Sequence, residues 1–268
     1  MHWLEAVIFG IIQGATEFLP VSSSGHLAIA HRLGLSDLPE SLEMTFDVLL
    51  HGASLIAIVI AFWPDILDAI KRGPRFWTLL AVGLVPTGLV GLMIRGVVED
   101  FAKVILLIGI AYIYTTVLLA TSQYLSRRRE AAQGMIDDPA SLRFRHAAIV
   151  GAMQITTLFP GVSRSGTTVA AGLFAGMTPR LAVSFSFLTG LPLIAAVTVK
   201  DGVRGGYGAL LEAVGFAPLA LSFVVCFVVS YVCIIALKLI VAKRLLHWFA
   251  AYCGGLAVLC ITLGILGL

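Results

Sequence analysis

The chain has 268 residues, of which 59% are hydrophobic and 12% charged, with a formal net charge of +3 at pH 7 and a mean hydropathy of +1.00. An average soluble domain carries about 25% charged residues, so too few charges are present for a solvated surface. This excludes an ordinary soluble enzyme and a disordered chain, and the small net charge does not indicate a nucleic-acid partner. We therefore predict an integral membrane protein surrounded by the lipid bilayer.

The chain begins with an apolar region, residues 4–33, that is interrupted by Pro and Ser-Gly residues at Phe18–Gly25. The pieces on either side of this break are shorter than the about 20 helical residues that cross a hydrocarbon core. Broken backbone inside a membrane is tolerated only where protein buries it or it lines a polar cavity. The region is therefore predicted to form a re-entrant helical hairpin, with a full span kinked at Pro20 as the alternative.

Six uninterrupted apolar stretches are long enough to span the bilayer, and a second broken region separates the first three from the last three. The first three spans are predicted at 46–63, 76–94 and 104–125, followed by a cytoplasmic loop at 126–146. The second broken region, 147–177, has its break at Phe159–Gly166, and the last three spans follow at 181–199, 217–242 and 246–267.

The two broken regions resemble each other in sequence. Between Ala6–Gly25 and Ala147–Gly166, ten of twenty ungapped positions are identical, and Gly52 in the next span corresponds to Gly190. Each half therefore contains one hairpin and three spans, and because three is odd the second half starts from the opposite face. The predicted fold is a single all-α polytopic membrane domain, residues 1–268, with inverted repeats at 1–125 and 147–268 whose breaks meet inside the membrane.

The basic residues between the spans indicate the orientation, because cytoplasmic loops carry an excess of Lys and Arg. The face predicted to be cytoplasmic carries Lys71, Arg72, Arg75, Arg127, Arg128, Arg129, Arg143, Arg145, Arg180, Lys243 and Arg244. The opposite face carries Arg32, Arg95, Lys103, Lys200 and Arg204. Both termini then lie outside the cytoplasm, and the first hairpin enters the membrane from there.

Ionisable side chains stand at both breaks, although such a group at the bilayer centre costs roughly 2.5–3.5 kcal/mol or more. They are Glu17, His26 and Arg164. Gln13 lies one helical turn before Glu17, so both can point into a common cavity, with a polar clamp between helices as the alternative. The surrounding polar residues are Ser22, Ser23, Ser24, Ser163, Ser165, Thr167 and Thr168.

Each break is followed by serines and a new short helix, a composition typical of helix N-caps. Two helix N-termini near the membrane midplane would favour an anion, and Arg164 adds a planar guanidinium suited to phosphate or carboxylate. The pattern predicts an oxyanion or phosphate site; a structural ion pair between Arg164 and Glu17 is the alternative. His26 would act as a general base, a nucleophile or a proton donor, or else as a satisfied core residue. His51 is interpreted as a packing residue or a helix contact.

Two motifs carry a resemblance to a known family. They are QGATEFLPVSSSGH at Gln13–His26 and PGVSRSGTT at Pro160–Thr168. In these motifs, in its length and in the order of its spans, the chain resembles the undecaprenyl-diphosphatases, also called bacitracin-resistance proteins. The resemblance implies hydrolysis of the isoprenoid lipid carrier undecaprenyl diphosphate to undecaprenyl phosphate on the outer side of the bacterial inner membrane, which recycles the carrier for cell-wall synthesis.

The resemblance also implies catalytic roles for Glu17, His26, Arg164 and a neighbouring serine, for which Ser23 is favoured. It implies a divalent cation, Mg²⁺ or Ca²⁺. The family commonly has a carboxylate where this chain has Gln13, and a neutral amide is a weaker ligand for a hard cation. Glu17 is therefore the expected metal ligand.

The resulting hypothesis is a lipid diphosphatase in which Arg164 and helix N-termini hold the terminal phosphate while the tail lies between spans. Ser23, His26 or water attacks phosphorus; Glu17 orients His26 or binds the cation; Ser163, Ser165 and Thr168 donate hydrogen bonds. An inverted-repeat transporter or a lipid flippase for an anionic substrate is the alternative, since broken helices are also transporter traits. The expected partners are the lipid substrate, the bilayer and a second copy in a homodimer.

Overall fold

The structure is a computed structural model that describes residues 1–131, 134–203 and 206–267; for residues 129–131, 201 and 202 it describes the backbone alone. Throughout these ranges the regular elements are helical, and this confirms the all-α class. Arg204 lies outside the described residues, as does the side chain of Arg129.

Within the described residues, the first half contains seven α-helices and the second half six. The first half consists of α1 (Trp3–Phe18), α2 (Ser23–Arg32), α3 (Glu40–Ala61), α4 (Trp63–Lys71), α5 (Pro74–Met93), α6 (Arg95–Ala102) and α7 (Ile105–Ala131). The second consists of α8 (Phe144–Ile155), α9 (Arg164–Phe174), α10 (Pro179–Val203), α11 (Gly206–Val214), α12 (Phe216–Ala242) and α13 (Leu246–Ile265). Short 3₁₀ turns cover Pro139–Ser141 and Thr156–Leu158.

Six of these helices, α3, α5, α7, α10, α12 and α13, are long and apolar enough to cross a membrane. They confirm the six predicted spans. The helices beside the two breaks are shorter, with 16 residues in α1, 10 in α2, 12 in α8 and 11 in α9. The two halves thus repeat the order of two short helices and three long ones, and their inverted relation stays a prediction.

Several boundaries differ from the sequence prediction. Helix α3 begins at Glu40 rather than residue 46, because its first turns carry acidic residues that face a cavity and also suit a helix N-terminus. Helix α7 continues to Ala131 and α8 begins at Phe144, so the connection is shorter at both ends than the predicted loop 126–146. The amphipathic helices α4, α6 and α11 were not predicted, since their apolar runs are too short to span.

The first helix of each half packs on a long helix of the other half, α1 on α12 and α8 on α5. Glycines permit this close approach: a Cβ on Gly14 would lie 2.7 Å from the Cys226 carbonyl oxygen, and one on Gly151 would lie 2.6 Å from that of Val82. The same reason applies to Gly10 against Ser222, and the GxxxG spacing of Gly10 and Gly14 is typical of such a close-packing face. These contacts fix the two short helix pairs inside the bundle.

Candidate active site

The two breaks meet inside the bundle, as the sequence predicted. The Gly161 N–H in the second break donates a hydrogen bond to Ser22 Oγ in the first break at 3.1 Å. The Ser165 hydroxyl donates to the Leu19 carbonyl at 3.2 Å, and Arg164 Nη2 donates to Glu17 Oε1 at 2.7 Å. Helix N-termini from both halves therefore reach one site, with a carboxylate from the first half and a guanidinium from the second.

Glu17 is the centre of this site. Glu17 lies in the last turn of α1 and is only 6% exposed. An ionised carboxylate in such a buried position needs polar partners. Oε1 accepts the bond from Arg164, while Oε2 accepts from the Ser23 hydroxyl at 2.7 Å and from Gln13 Nε2 at 3.2 Å. His51 Nε2 lies 3.5 Å from Oε2. Gln13 contacts Glu17 one helical turn later, but it is fully buried and lies outside the lining of the cavity beside this site, so the expectation that both point into a common cavity is not met.

Arg164 is held against the backbone of α10. A methyl group placed on Gly190 would overlap Arg164 Nη1, so only glycine leaves room for the guanidinium in this position. Nη1 is buried and has no hydrogen-bond partner within the described part of the chain, and the side chain as a whole is 12% exposed. A guanidinium with one nitrogen on Glu17 and another unpaired retains the capacity to bind an incoming anion.

Both new helices begin with a serine cap. Ser22 precedes α2 and its Oγ accepts from the Gly25 N–H at 3.4 Å; Ser163 precedes α9 and its Oγ accepts from the Gly166 N–H at 3.1 Å. The first N–H groups of an α-helix have no intrahelical acceptor, and the positive end of the helix dipole lies there. Two such ends at one place favour a negatively charged ligand, in agreement with the predicted anion site.

A cavity of about 1010 Å³ extends from this site to the end of the bundle that carries Arg32 and Lys103. Its inner end is polar, and aliphatic side chains of α10 form part of its wall. Of the residues predicted for the site, those in the lining are Glu17, Ser22, Ser23, Ser24, Ser163 and Arg164. At the rim, Lys103 donates to Asp100 at 2.9 Å, and this carboxylate raises the pKa of the Lys103 ammonium.

Three predicted binding residues of α9 lie outside this lining. The Thr168 hydroxyl bonds to the Arg164 carbonyl at 2.8 Å and to Ser186, and Ser165 bonds to Leu19. Thr167 is fully buried, and its hydroxyl has no hydrogen-bond partner among the described residues. Direct donation to a substrate does not fit this placement, because these side chains pack behind the first turn of α9, where they support Arg164.

His26 also lies outside the cavity lining, because it is on the face of α2 opposite Ser24 and Leu27. Its Nδ1 is 2.7 Å from the Ser22 carbonyl oxygen and 3.1 Å from the Tyr112 hydroxyl, and its Nε2 is 2.9 Å from the Tyr252 hydroxyl. A carbonyl only accepts, so Nδ1 carries the proton and Nε2 accepts from Tyr252. His26 is not among the four groups around Glu17, so the expectation that Glu17 orients His26 is not met. His26 instead donates a hydrogen bond to the Ser22 backbone carbonyl.

The structure adds polar residues that the sequence interpretation missed. His51 contacts Glu17 of α1, which agrees with its interpretation as a helix contact, but it also lines the cavity, which the sequence interpretation missed. Glu43, Asp47 and His51 recur every four residues on one face of α3, which was the signal available in the sequence. His31 joins α2 to this face, with Nε2 3.1 Å from Asp47 and Nδ1 3.3 Å from Glu43.

The donor set around Glu17 fits a resident divalent cation poorly. Ca²⁺ takes 6–8 oxygen ligands and Mg²⁺ demands near-octahedral geometry. Among the described residues, the polar side chains that contact Glu17 include no second carboxylate, and the cationic Arg164 and the ring of His51 flank it. Gln13 Oε1 is buried and unpaired, and it offers only a neutral amide oxygen. Within the described ranges, the group of side chains close enough to hold a metal ion is His2, Glu5 and Asp37, none of which lines the cavity.

Fold and site together define a polytopic membrane protein in which a guanidinium and two helix N-termini, groups that favour anions, meet between two broken helical regions. The sequence matches the family described as bacitracin resistance protein BacA over residues 6–259, and the chain belongs to this family. It is 34% identical to undecaprenyl-diphosphatase 1 of Shouchella clausii, over 97% of this chain and 95% of the relative. It is 35% identical to the undecaprenyl-diphosphatase of Bacteroides thetaiotaomicron, over 97% of this chain and 98% of the relative.

Proposed function

We propose that the protein is a membrane phosphatase that hydrolyses undecaprenyl diphosphate to undecaprenyl phosphate and inorganic phosphate. One observation carries this conclusion: Ser23 donates to one oxygen of Glu17 while Arg164 donates to the other, at the inner end of a cavity. Phosphoryl transfer needs a positioned nucleophile and stabilisation of phosphate charge, and these three side chains supply both. The names of the relatives support the same substrate.

The cavity suits an amphiphilic substrate. Leu193, Ile194 and Val197 of α10 form an apolar wall, against which an isoprenoid chain can lie. The polar end offers Arg164 and two helix N-termini to a diphosphate. A diphosphate head with a long apolar tail therefore matches the two parts of the cavity.

The alternative of a purely structural ion pair between Arg164 and Glu17 is less favoured. The two groups do form an ion pair, at 2.7 Å. However, a buried ion pair is weak support for stability because desolvation offsets much of the attraction. This pair also lies in the wall of an accessible cavity and includes the Ser23 hydroxyl, which a stabilising ion pair does not require.

In the proposed reaction Arg164 turns from Glu17 towards the terminal phosphate, and Glu17 Oε2 takes the proton of Ser23. The Ser23 oxygen forms a bond to the terminal phosphorus while the bond from that phosphorus to the bridging oxygen breaks. Glu17 passes its proton to the departing lipid phosphate. Water then attacks the phosphoserine, and one of its protons returns to the Ser23 oxygen as inorganic phosphate is released.

We place the protein in the bacterial inner membrane with the cavity open to the periplasmic, or extracytoplasmic, side. Each span reverses the chain direction, so the basic segments around Arg72, Arg127 and Lys243 lie at the end of the bundle opposite the rim of the cavity. Cytoplasmic loops carry the excess of Lys and Arg, which assigns that basic end to the cytoplasm. The product then re-enters carrier recycling for cell-wall synthesis, a role that agrees with membership of a bacitracin-resistance family.

Phosphate release in detergent tests the function. The purified protein is incubated with undecaprenyl diphosphate in micelles, and inorganic phosphate is measured with and without added Mg²⁺ or Ca²⁺, because the cation requirement stays a proposal. We expect release by the native protein and loss in Ser23→Ala. A transporter or flippase consumes no substrate in micelles, where no gradient exists, so absence of release under every cation condition would contradict the phosphatase. Light scattering of the same sample reports the predicted homodimer.

A further inference from the structure

The ion pair at the site creates a conflict that the proposed reaction must resolve. Glu17 is buried and accepts from Arg164, and the same guanidinium must bind the terminal phosphate. If Arg164 turns to the phosphate, Glu17 loses its strongest partner at the moment it has to remain ionised and aligned with Ser23. A buried carboxylate left without a charged partner is strongly disfavoured. A second group must therefore hold Glu17.

His51 occupies the position that this role requires. Its Nε2 is 3.5 Å from Glu17 Oε2, the oxygen that also accepts from Ser23, whereas Arg164 bonds to Oε1. Its Nδ1 is 2.7 Å from the Asp47 carbonyl oxygen one turn earlier in α3. That carbonyl can only accept, so Nδ1 donates to it and the ring is fixed with Nε2 towards the carboxylate. Nε2 can donate to Glu17 only when the ring carries both protons, so the form of His51 that holds Glu17 is the imidazolium.

The ring is also placed where it can act during turnover. His51 belongs to the cavity lining, and its side chain is 25% exposed, so it stays beside Glu17 without blocking the polar end. The corresponding position in the second half is Thr189, which bonds to the Phe185 and Ser186 carbonyls of its own helix. Thr189 is outside the cavity lining and contacts no charged group in these bonds. Only the half that carries the carboxylate has a side chain for this task.

We propose that His51 is a positioning residue, which keeps the Glu17 carboxylate in place when the Arg164 side chain moves to the substrate phosphate. The inference rests on the proposed function for its role in turnover. It predicts that His51 and Glu17 are energetically coupled in diphosphate binding. This coupling can be measured without turnover. His51 acts through Glu17 and makes no bond to phosphorus.

A double-mutant cycle tests this coupling with farnesyl methylenediphosphonate as the probe, because its P–C–P bridge cannot be hydrolysed. Binding is followed by calorimetry in detergent. In His51→Ala, binding is expected to weaken about tenfold, because releasing Arg164 leaves Glu17 uncompensated. His51→Gln keeps an N–H donor beside Glu17 without the positive charge, so its binding is expected to be about threefold weaker than native, between the native protein and His51→Ala. In the Glu17→Gln background the carboxylate charge is absent, so adding His51→Ala is expected to change binding by less than about twofold.

Thr189→Ala is the matched control, expected to bind and turn over as the native protein does. Equal weakening by His51→Ala in both backgrounds would overturn the proposal, as would native affinity in His51→Ala or a loss in His51→Gln as large as that in His51→Ala. Thermal unfolding of each variant separates misfolding from weakened binding. Failure of the proposed phosphatase is a different result, in which the native protein binds the non-hydrolysable probe but releases no phosphate from undecaprenyl diphosphate.

Discussion

The two breaks share a scaffold and differ in their chemistry. At matched positions both contain a serine N-cap, Ser22 and Ser163, whose hydroxyl accepts a bond from the glycine three residues later. By contrast, Glu17 in the first break corresponds to Leu158 in the second, and Ser23 corresponds to Arg164. The repeated residues shape the backbone and present helix N-termini. The residues that differ supply the carboxylate, the nucleophile and the guanidinium.

This difference explains why neither half could form the site alone. A carboxylate beside a serine can accept its proton but repels a phosphate, and a guanidinium binds phosphate but is a poor base. Contact between Glu17 and Arg164 joins the two functions, and the Gly161 N–H on Ser22 keeps them aligned. Substitutions at matched positions can therefore separate scaffold from chemistry.

The largest effect is expected at Arg164. Arg164→Ala should lower turnover about 10³-fold, since an arginine that stabilises transferring phosphate contributes 10³–10⁵ in related chemistry. Arg164→Lys retains charge without the planar fork, so turnover should fall about 100-fold. Steady-state phosphate release measures both, and Lys200→Ala, an exposed basic residue of α10, is the control. Activity within tenfold of native in Arg164→Ala would mean that the second break does not provide the phosphate-binding charge.

Gly190 and Gly52 form a matched pair with unequal surroundings. A Cβ on Gly190 would overlap the Arg164 guanidinium, whereas a Cβ on Gly52 would lie 3.2 Å from a methyl carbon of Thr198. Gly190→Ala should lower turnover about 100-fold, because a shift of about 1 Å in a catalytic group has that cost. Gly52→Ala should change turnover by less than about threefold, since overpacking mainly affects stability. Comparable losses in the two variants would contradict the proposed placement of Arg164.

The sequence was sufficient for the all-α class, the six spans and the central contact of the site, whereas the inverted relation of the two halves stays a prediction. Hydropathy located six spans because length and composition decide what can cross a bilayer, and the repeated breaks predicted that Glu17 and Arg164 would meet. The short helices α4, α6 and α11 escaped prediction because an interfacial helix needs no long apolar run.

Other parts of the site depend on helix rotation, which the repeat does not reveal. His26 follows Ser24 closely in sequence, yet the turn of α2 points it to Tyr112 and Tyr252, away from the cavity. His51 stands alone in its span, and only the packing of α3 against α1 brings it to Glu17. The contacts of His26 and His51 could not be obtained from sequence spacing, because they join residues from separate helices.

A smaller effect is expected at His26, whose matched position is Thr167. His26→Ala removes the bond to the Ser22 carbonyl and should lower turnover about tenfold, which corresponds to the loss of one buried hydrogen bond. The apparent unfolding temperature should fall in parallel. Thr167→Ala removes a hydroxyl without a partner in the described structure and should leave both quantities close to native.

Turnover and the apparent unfolding temperature together distinguish a residue that positions the backbone from one that transfers a proton. If His26→Ala lost more than 10³-fold in turnover with an unchanged unfolding temperature, His26 would act in proton transfer rather than in holding Ser22. Tyr252→Phe provides a further control, because it removes the hydroxyl bonded to Nε2 and leaves the Nδ1 contact with Ser22 intact. We expect turnover within about twofold of native for this variant.

The smallest effects concern the two serine caps. Ser163→Ala should reduce the free energy of unfolding by about 1 kcal/mol, the usual cost of losing an N-cap. Ser22→Ala should cost about 2 kcal/mol, because the buried Gly161 N–H also loses its acceptor. Ser22 has a φ of 67°, a region that glycine adopts more readily, so Ser22→Gly should be less destabilising than Ser22→Ala. Denaturant unfolding in detergent measures all three, and an equal cost for the two alanine variants would mean that the bond from Gly161 to Ser22 does not hold the breaks together.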